Sequence, residues 1–201
     1  MGSSPSWDKD HGKALEVSSA LPRIGQRVVL RRLSTADLAH FQAYRQDEQV
    51  GRYQGWTSEP DHQALMFLDE MSSASLFAPG KWIQLGIADR GTNALIGDIG
   101  ICVAAAEEKA EIGFTLRAQS QGDGLGTEAI TEAIGLLFEH TAVLQAVGIT
   151  DARNIPSVRL LERAGMRRVV TVNSVFRGEP CVEHVYVFSR HDGGQASLDS
   201  I

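Results

Sequence analysis

Apolar and polar positions along the chain repeat with two different periods, and each change of period marks an element. The first apolar run, Arg27–Leu33, sets Val28, Val29 and Leu30 between arginines and predicts a strand. Ser34 and Asp37 have capping-box spacing and predict a helix through about Gln46, with Leu38 and Phe41 on its inner stripe. A second helix is predicted from Ser58, with Pro60 in its first turn and Leu65, Leu68 and Met71 at helical spacing. Strands follow at Trp82–Ala88 and Leu95–Val103. They read as a hairpin, because the Asp, Gly and Asn of Asp89-Arg90-Gly91-Thr92-Asn93 accept the backbone angles of a tight turn.

Alternation resumes over Lys109–Leu116, and a glycine-rich segment then opens a helix whose stripe is Ile130, Ala133 or Ile134, and Leu137. Leu144–Thr150 reads as a strand and Asn154–Ala164 as a short helix ended by Gly165. Met166–Val172 and Cys181–Arg190 form a final strand pair. The predicted order is β-α-α-β-β-β-α-β-α-β-β, an α/β chain of seven strands without internal repeats. Residues 1–22 and the end from His191 lack periodicity and read as flexible tails around one domain at 23–190.

Composition narrows the function classes. A chain of 201 residues that is 43% hydrophobic buries one sizeable core but not two. A net charge of -6 with 22% charged residues argues against a nucleic-acid-binding surface and suits a cationic substrate. Cys102 and Cys181 lie far apart inside apolar runs, so buried free thiols and a reducing compartment are expected. Apolar runs stop well short of the ~18 residues that a membrane span requires, and Met1–Lys13 lacks the order of a signal peptide, so the expected location is the cytoplasm. The histidines and cysteines form no closely spaced ligand set, and no metal is expected.

Chemistry concentrates where the strand Ala110-Glu111-Ile112-Gly113-Phe114-Thr115-Leu116 runs toward Gln121-Gly122-Asp123-Gly124-Leu125-Gly126-Thr127. Glycines let the backbone approach a diphosphate, and the unpaired N–H groups and positive dipole end of the following helix stabilise the anion. The same glycines would also serve a plain tight connection. No Lys-Ser or Lys-Thr follows, which excludes a Walker-type loop, and the third glycine of a dinucleotide fingerprint is misplaced. What remains is Gln-x-x-Gly-x-Gly, at Gln121, Gly124 and Gly126.

That spacing resembles the pyrophosphate loop of GNAT acetyltransferases, which follows Gln/Arg-x-x-Gly-x-Gly/Ala between the fourth strand and the third helix. The wider string resembles the branch that acetylates the N-termini of ribosomal proteins: Glu111-Ile-Gly-Phe, Gly122-x-Gly124-x-Gly126-Thr-Glu-Ala and Asn154-x-x-Ser157-x-x-Leu160-Leu-Glu162-x-x-Gly165. The likeness spans about residues 26 to 190. It implies a mixed, mostly antiparallel seven-stranded sheet flanked by helices, with strands four and five splayed, and acetyl-CoA as cofactor without a metal. Gln121, Gly122, Asp123, Gly124, Leu125, Gly126 and Thr127 would then hold the pyrophosphate. Main-chain groups near Phe114, Thr115 and Leu116 would take the pantetheine arm and the acetyl carbonyl, where an aimed N–H stabilises an oxyanion.

Direct transfer needs a neutral amine, a base and a donor to the departing thiolate. The resemblance makes Glu111 the first candidate base, acting through water, and Glu183 the second. Ser157 is the candidate donor to the CoA sulfur, and it can equally be a polar residue of a helix's first turn. Many family members carry a Tyr at the position of Leu161, a departure here. Asn154 can cap its helix or bind the pantetheine amide. Asp123 stands where the family often has Lys or Arg, an unfavourable charge beside a pyrophosphate. Tyr53 and Trp56 occupy the place where relatives shape the acceptor pocket.

A protein N-terminal α-amine is the preferred acceptor, since its pKa near about 8 leaves it partly neutral while a lysine amine sits near about 10.4. A small amine such as an aminoglycoside or polyamine is the alternative acceptor. Leu161 and Asp123 also leave open a CoA-binding sensor without turnover. Homodimers are a habit of the family.

Overall fold

The computed structural model describes residues 20–106 and 108–191. The tails expected at 1–22 and from His191 therefore lie outside the described residues, apart from 20–22 and His191. The elements are β1 (Arg23–Ile24), β2 (Val28–Arg32), α1 (Leu38–Arg45), α2 (Glu48–Gly51), α3 (Asp61–Ser73), β3 (Trp82–Asp89), β4 (Leu95–Val103) and β5 (Lys109–Leu116). They continue as α4 (Leu125–His140), β6 (Gln145–Asp151), α5 (Ile155–Arg163), β7 (Arg167–Phe176) and β8 (Glu179–Ser189). The strands form one sheet in the order β1-β2-β3-β4-β5-β6-β8-β7. Every neighbouring pair is antiparallel except β5 with β6.

The eighth strand corrects the predicted count of seven. β1 has two residues, too few for an alternating pattern, and is held by its pairing to β2 and by Arg23, whose guanidinium donates to Glu132 and Glu139 of α4 at 2.6 Å each. α2 was also not predicted. It is a single turn, capped by Asp47 Oδ1, which accepts from the main-chain N–H of Gln49 and Val50.

The predicted capping box exists: Asp37 Oδ2 accepts from Ser34 N at 2.9 Å and Ser34 Oγ at 3.2 Å. It closes a 3-10 turn at Thr35–Asp37, and α1 proper begins at Leu38. Pro60 is the N-cap of α3 rather than a residue of its first turn, and Ala64, Leu68 and Met71 make its buried stripe while Leu65 is exposed. The last two strands run longer than predicted because Arg177 and Gly178, both with positive φ (52° and 84°), form a two-residue turn between Phe176 and Glu179.

α1, with α3 beside it, covers one face of the sheet, where Tyr44 and Arg45 reach Asp98 of β4. α4 and α5 cover the other, and the predicted α4 stripe is buried there: Ile130, Ala133, Ile134 and Leu137. Each such fully buried Leu or Ile contributes roughly 1.5–3 kcal/mol. Both cysteines are free thiols. Cys181 is buried as expected, whereas Cys102 is only half-buried beside its exposed register partner Trp82. No helix among the described residues is long and apolar enough to cross a membrane.

Candidate active site

β5 and β6 pair only over Lys109–Glu111 and Gln145–Val147. Beyond Glu111 they part, since β5 follows β4 to Leu116 while β6 follows β8. The bonds Ala104 N to Lys109 O and Arg117 N to Ile96 O assign the odd-numbered residues of β5 to the β4 ladder. The polar main-chain groups of Ile112, Phe114 and Leu116 therefore face the gap. Two of their carbonyls have side-chain donors: Gln54 Nε2 reaches Phe114 O at 3.1 Å and Gln121 Nε2 reaches Leu116 O at 2.8 Å. Thr115, expected beside them, spends its main chain on the β4 ladder opposite Asp98; its hydroxyl accepts from Trp56 Nε1 at 3.3 Å.

At the end of this gap lies the glycine-rich loop. Gly122 and Gly124 have φ of 91° and 81°, angles that side chains rarely adopt. Gly126 is needed for close approach, because a Cβ there would meet Leu160 Cδ1 at 2.5 Å and Leu116 Cδ1 at 2.9 Å, so its hydrogen lets α5 close on α4. Glu128 N, bonded to Gly124 O at 3.1 Å, makes the first backbone bond of α4, which leaves the N–H groups of Leu125, Gly126 and Thr127 directed out of the helix end. Asp123 is exposed and does not line the cleft described next. Arg27, which the loop pattern gave no reason to single out, donates Nη1 to Asp123 O at 2.8 Å and pairs with Glu128 at 3.2 Å, so a cation stands at the loop after all.

Loop, gap and α5 enclose a cleft of about 900 Å³. Phe114, Thr115, Leu116, Gln121, Gly122, Gly124, Gly126 and Thr127 line it from one side, Asn154, Ser157 and Leu160 from α5, and Tyr53 and Gln54 from the α2–α3 connection. This is a fit for a long, phosphate-bearing thioester: outward N–H groups at the α4 terminus, main chain along the gap that no neighbouring strand pairs, and a hydroxyl at the far wall. Asn154 caps α5, its Oδ1 accepting from Ser157 N at 3.4 Å. Leu161 is 1% exposed and packs on Gly148 of β6, so that position faces the core rather than the cleft. Trp56 stands outside the cleft lining and stacks on the Arg45 guanidinium, 4.3 Å from the ring centroid.

Neither candidate carboxylate lines this cleft. Glu111 is the last residue of β5 paired to β6, opposite Val147, and Glu183 of β8 is opposite Asp151. Val147 and Asp151 are four residues apart on one strand, so strand alternation puts both glutamates on the same sheet face, the one α1 covers elsewhere. Thr115, four residues on from Glu111 along β5 and part of the cleft lining, shares that face, so the glutamates stand on the same side of the sheet as this part of the cleft but outside its lining. Desolvation among the strands, and then the Glu183 charge, push the Glu111 carboxyl above its ordinary pKa although solvent still reaches it.

Arg177, at the tip of the β7–β8 turn, had no sequence signal for its partners. Its Nη2 donates to the carbonyls of Gln54 at 3.1 Å and Trp56 at 3.0 Å, 123 and 121 residues earlier, and so fixes the segment that presents Tyr53 and Gln54 to the cleft. Among the described residues no group of three or more His, Cys, Asp or Glu is placed to share a metal ion.

Residues 27–167 match the model of the acetyltransferase (GNAT) domain. The uncharacterized N-acetyltransferase YoaA of Bacillus subtilis (strain 168) is 27% identical over 144 residues, 71% of this chain and 80% of that protein. RimJ of Mycobacterium smegmatis, solved in complex with CoA-disulfide, is 16% identical over 86% of this chain and 90% of its own, with a TM-score of 0.70. AAC(6')-Ib, solved in complex with Parmomycin and acetyl-CoA, is 21% identical over 87% of this chain and 100% of its own, with a TM-score of 0.68. With the splayed strands, the glycine loop at a helix end and this match over most of its length, the chain belongs to the GNAT acetyltransferases, acyltransferases whose donor is acetyl-CoA.

Proposed function

We propose that this enzyme passes acetyl to the α-amine of a protein N-terminus. The observation that carries this reading is the pair Glu111 and Glu183 on one sheet face, the face shared by Thr115 of the cleft lining. Acetyl-CoA supplies the activated acetyl thioester. The α4 N–H groups and Gly122–Gly124 hold its pyrophosphate, and the gap-facing main chain of Phe114 and Leu116 orients the arm. Ser157 donates to the departing sulfur, and Glu111 takes the amine proton through water. An α-amine near about 8 is partly neutral, so it asks less of a carboxylate base than a lysine amine near about 10.4.

The acceptor face also favours a peptide. Ile149, Val170 and Val172 are 44%, 46% and 39% exposed on the same face as the two glutamates, giving an extended apolar footing beside charges that attract an ammonium. AAC(6')-Ib was solved with Parmomycin, which keeps small amines in the test. Release of free CoA thiol from acetyl-CoA should be followed with N-terminal peptides, aminoglycosides and polyamines. Peptides are expected to give the highest kcat/KM; a higher value for a small amine would overturn the acceptor assignment, and CoA binding without release for any amine would make the protein a sensor.

Two further outcomes are expected. Ser157→Ala lowers kcat by roughly 10- to 100-fold with little change in CoA affinity, read from steady-state rates and calorimetry; unchanged rates would remove its role. Since Glu111 must be ionised to act, log(kcat/KM) falls as pH drops below its raised pKa, and below both that value and the amine's the slope is about two. In Glu111→Gln the slope becomes about one. In Glu183→Gln the lower break moves to more acid pH, because a like charge has been removed.

A further inference from the structure

The proposed grip on the cofactor accounts for its pyrophosphate and its arm, but CoA carries a second anion, a phosphate monoester on the ribose. Three observations bear on where that group goes. First, Arg159 and Arg163 both line the cleft, and they lie one turn apart on α5, about 6 Å along the helix axis. Second, neither forms an ion pair among the described residues, in contrast to Arg23, Arg27, Arg31, Arg45 and Arg153, each of which has an acidic partner. Third, Leu160, on the same turn of α5, packs against Gly126 at the start of α4. The two guanidinium groups are therefore mounted beside the anion niche of the loop, on the wall opposite it.

We propose that Arg159 and Arg163 form the binding site for a phosphate monoester, the ribose phosphate of CoA, distinct from the pyrophosphate niche. This rests on the reading of the cleft as the CoA site. Two forked, uncommitted cations can surround a dianion from two directions, and guanidinium geometry matches phosphate oxygens. The site also offsets the acidic loop residue: with Asp123 where relatives often carry a base, much of the positive charge facing the cofactor comes from α5 instead. The enzyme should consequently discriminate CoA from dephospho-CoA, which differs only in lacking that monoester.

The test is calorimetric titration of the full chain with CoA and with dephospho-CoA, for wild type and for Arg159→Ala, Arg163→Ala and the double variant. Wild type is expected to bind CoA at least about tenfold more tightly than dephospho-CoA. In the double variant that ratio falls to about one while dephospho-CoA affinity is unchanged, and each single variant falls between. Both side chains are exposed, so thermal melts of the variants should match wild type. A wild-type ratio near one, or a ratio that persists in the double variant, would overturn the assignment. A drop in affinity for both ligands alike would mean that the arginines merely shape the cleft, and would overturn it too. Wild-type protein that binds neither ligand would refute the cofactor reading itself.

Discussion

Gly124→Trp is expected to abolish CoA binding while leaving a folded protein. Gly124 has φ of 81° and is the N-cap of α4, at the point where we propose that the cofactor's pyrophosphate approaches main-chain N–H groups. Two effects combine. Any side chain there strains the backbone by about 1 kcal/mol, and an indole in addition fills the niche and displaces Arg27, whose Nη2 lies only 3.4 Å from the position of a Cβ. Gly124→Ala separates the two, since it brings the strain without the bulk. Calorimetry should then show no heat for the tryptophan variant at CoA concentrations about 100-fold above the wild-type Kd, and a weakened but measurable affinity for the alanine variant. Wild-type affinity in Gly124→Trp would remove the loop from the site.

Asp98→Ala is expected to cost about 3–5 kcal/mol of stability, the range for stripping one partner from a buried ion pair. Asp98 is fully buried and accepts from Tyr44 Oη at 2.5 Å, Arg45 Nη2 at 2.9 Å and Gln84 Nε2 at 2.7 Å. Burial, with the Asp98 charge next, pushes the Tyr44 phenol well above its usual range, which keeps it a donor. Removing the carboxylate leaves a guanidinium and a phenol without their acceptor in the core. With total stabilities of roughly 5–15 kcal/mol, such a loss is a large share of the whole. The measurement is a urea transition whose midpoint falls with little change in slope; Asp98→Asn, which keeps an acceptor but not the charge, should lie between. A loss under about 1 kcal/mol would show that the network is not holding the fold. Because Arg45 also stacks on Trp56, whose indole reaches Thr115 of β5, activity should decline along with stability.

Which parts of this molecule can be read locally is clear from individual elements. The α4 stripe, the Asp89–Asn93 turn, the Ser34–Asp37 capping box and the glycines of the loop depend on residues within a turn or two of each other, so their signals survive in the bare chain. The departures have the same cause in reverse. β1 and α2 are shorter than the window over which periodicity accumulates, and Leu65 sits one position off the stripe that Ala64, Leu68 and Met71 occupy. Trp56, placed by resemblance at the acceptor pocket, stacks on Arg45, a contact that no spacing encodes.

The glycine-rich loop and the helix that follows it belong to the local class. Positive φ at Gly122 and Gly124 and the unpaired N–H groups at the α4 terminus follow from which residues neighbour each other in the chain. Everything that makes the loop one wall of a site comes from residues distant in sequence. Parting of β5 from β6 depends on each strand's other partner, the shared face of Glu111 and Glu183 depends on the register of β5, β6 and β8, and Arg27 and Arg177 gain their partners only through packing. The reason is physical: backbone angles and helix dipoles are set over a few residues, whereas a cleft exists only where surfaces from distant segments meet.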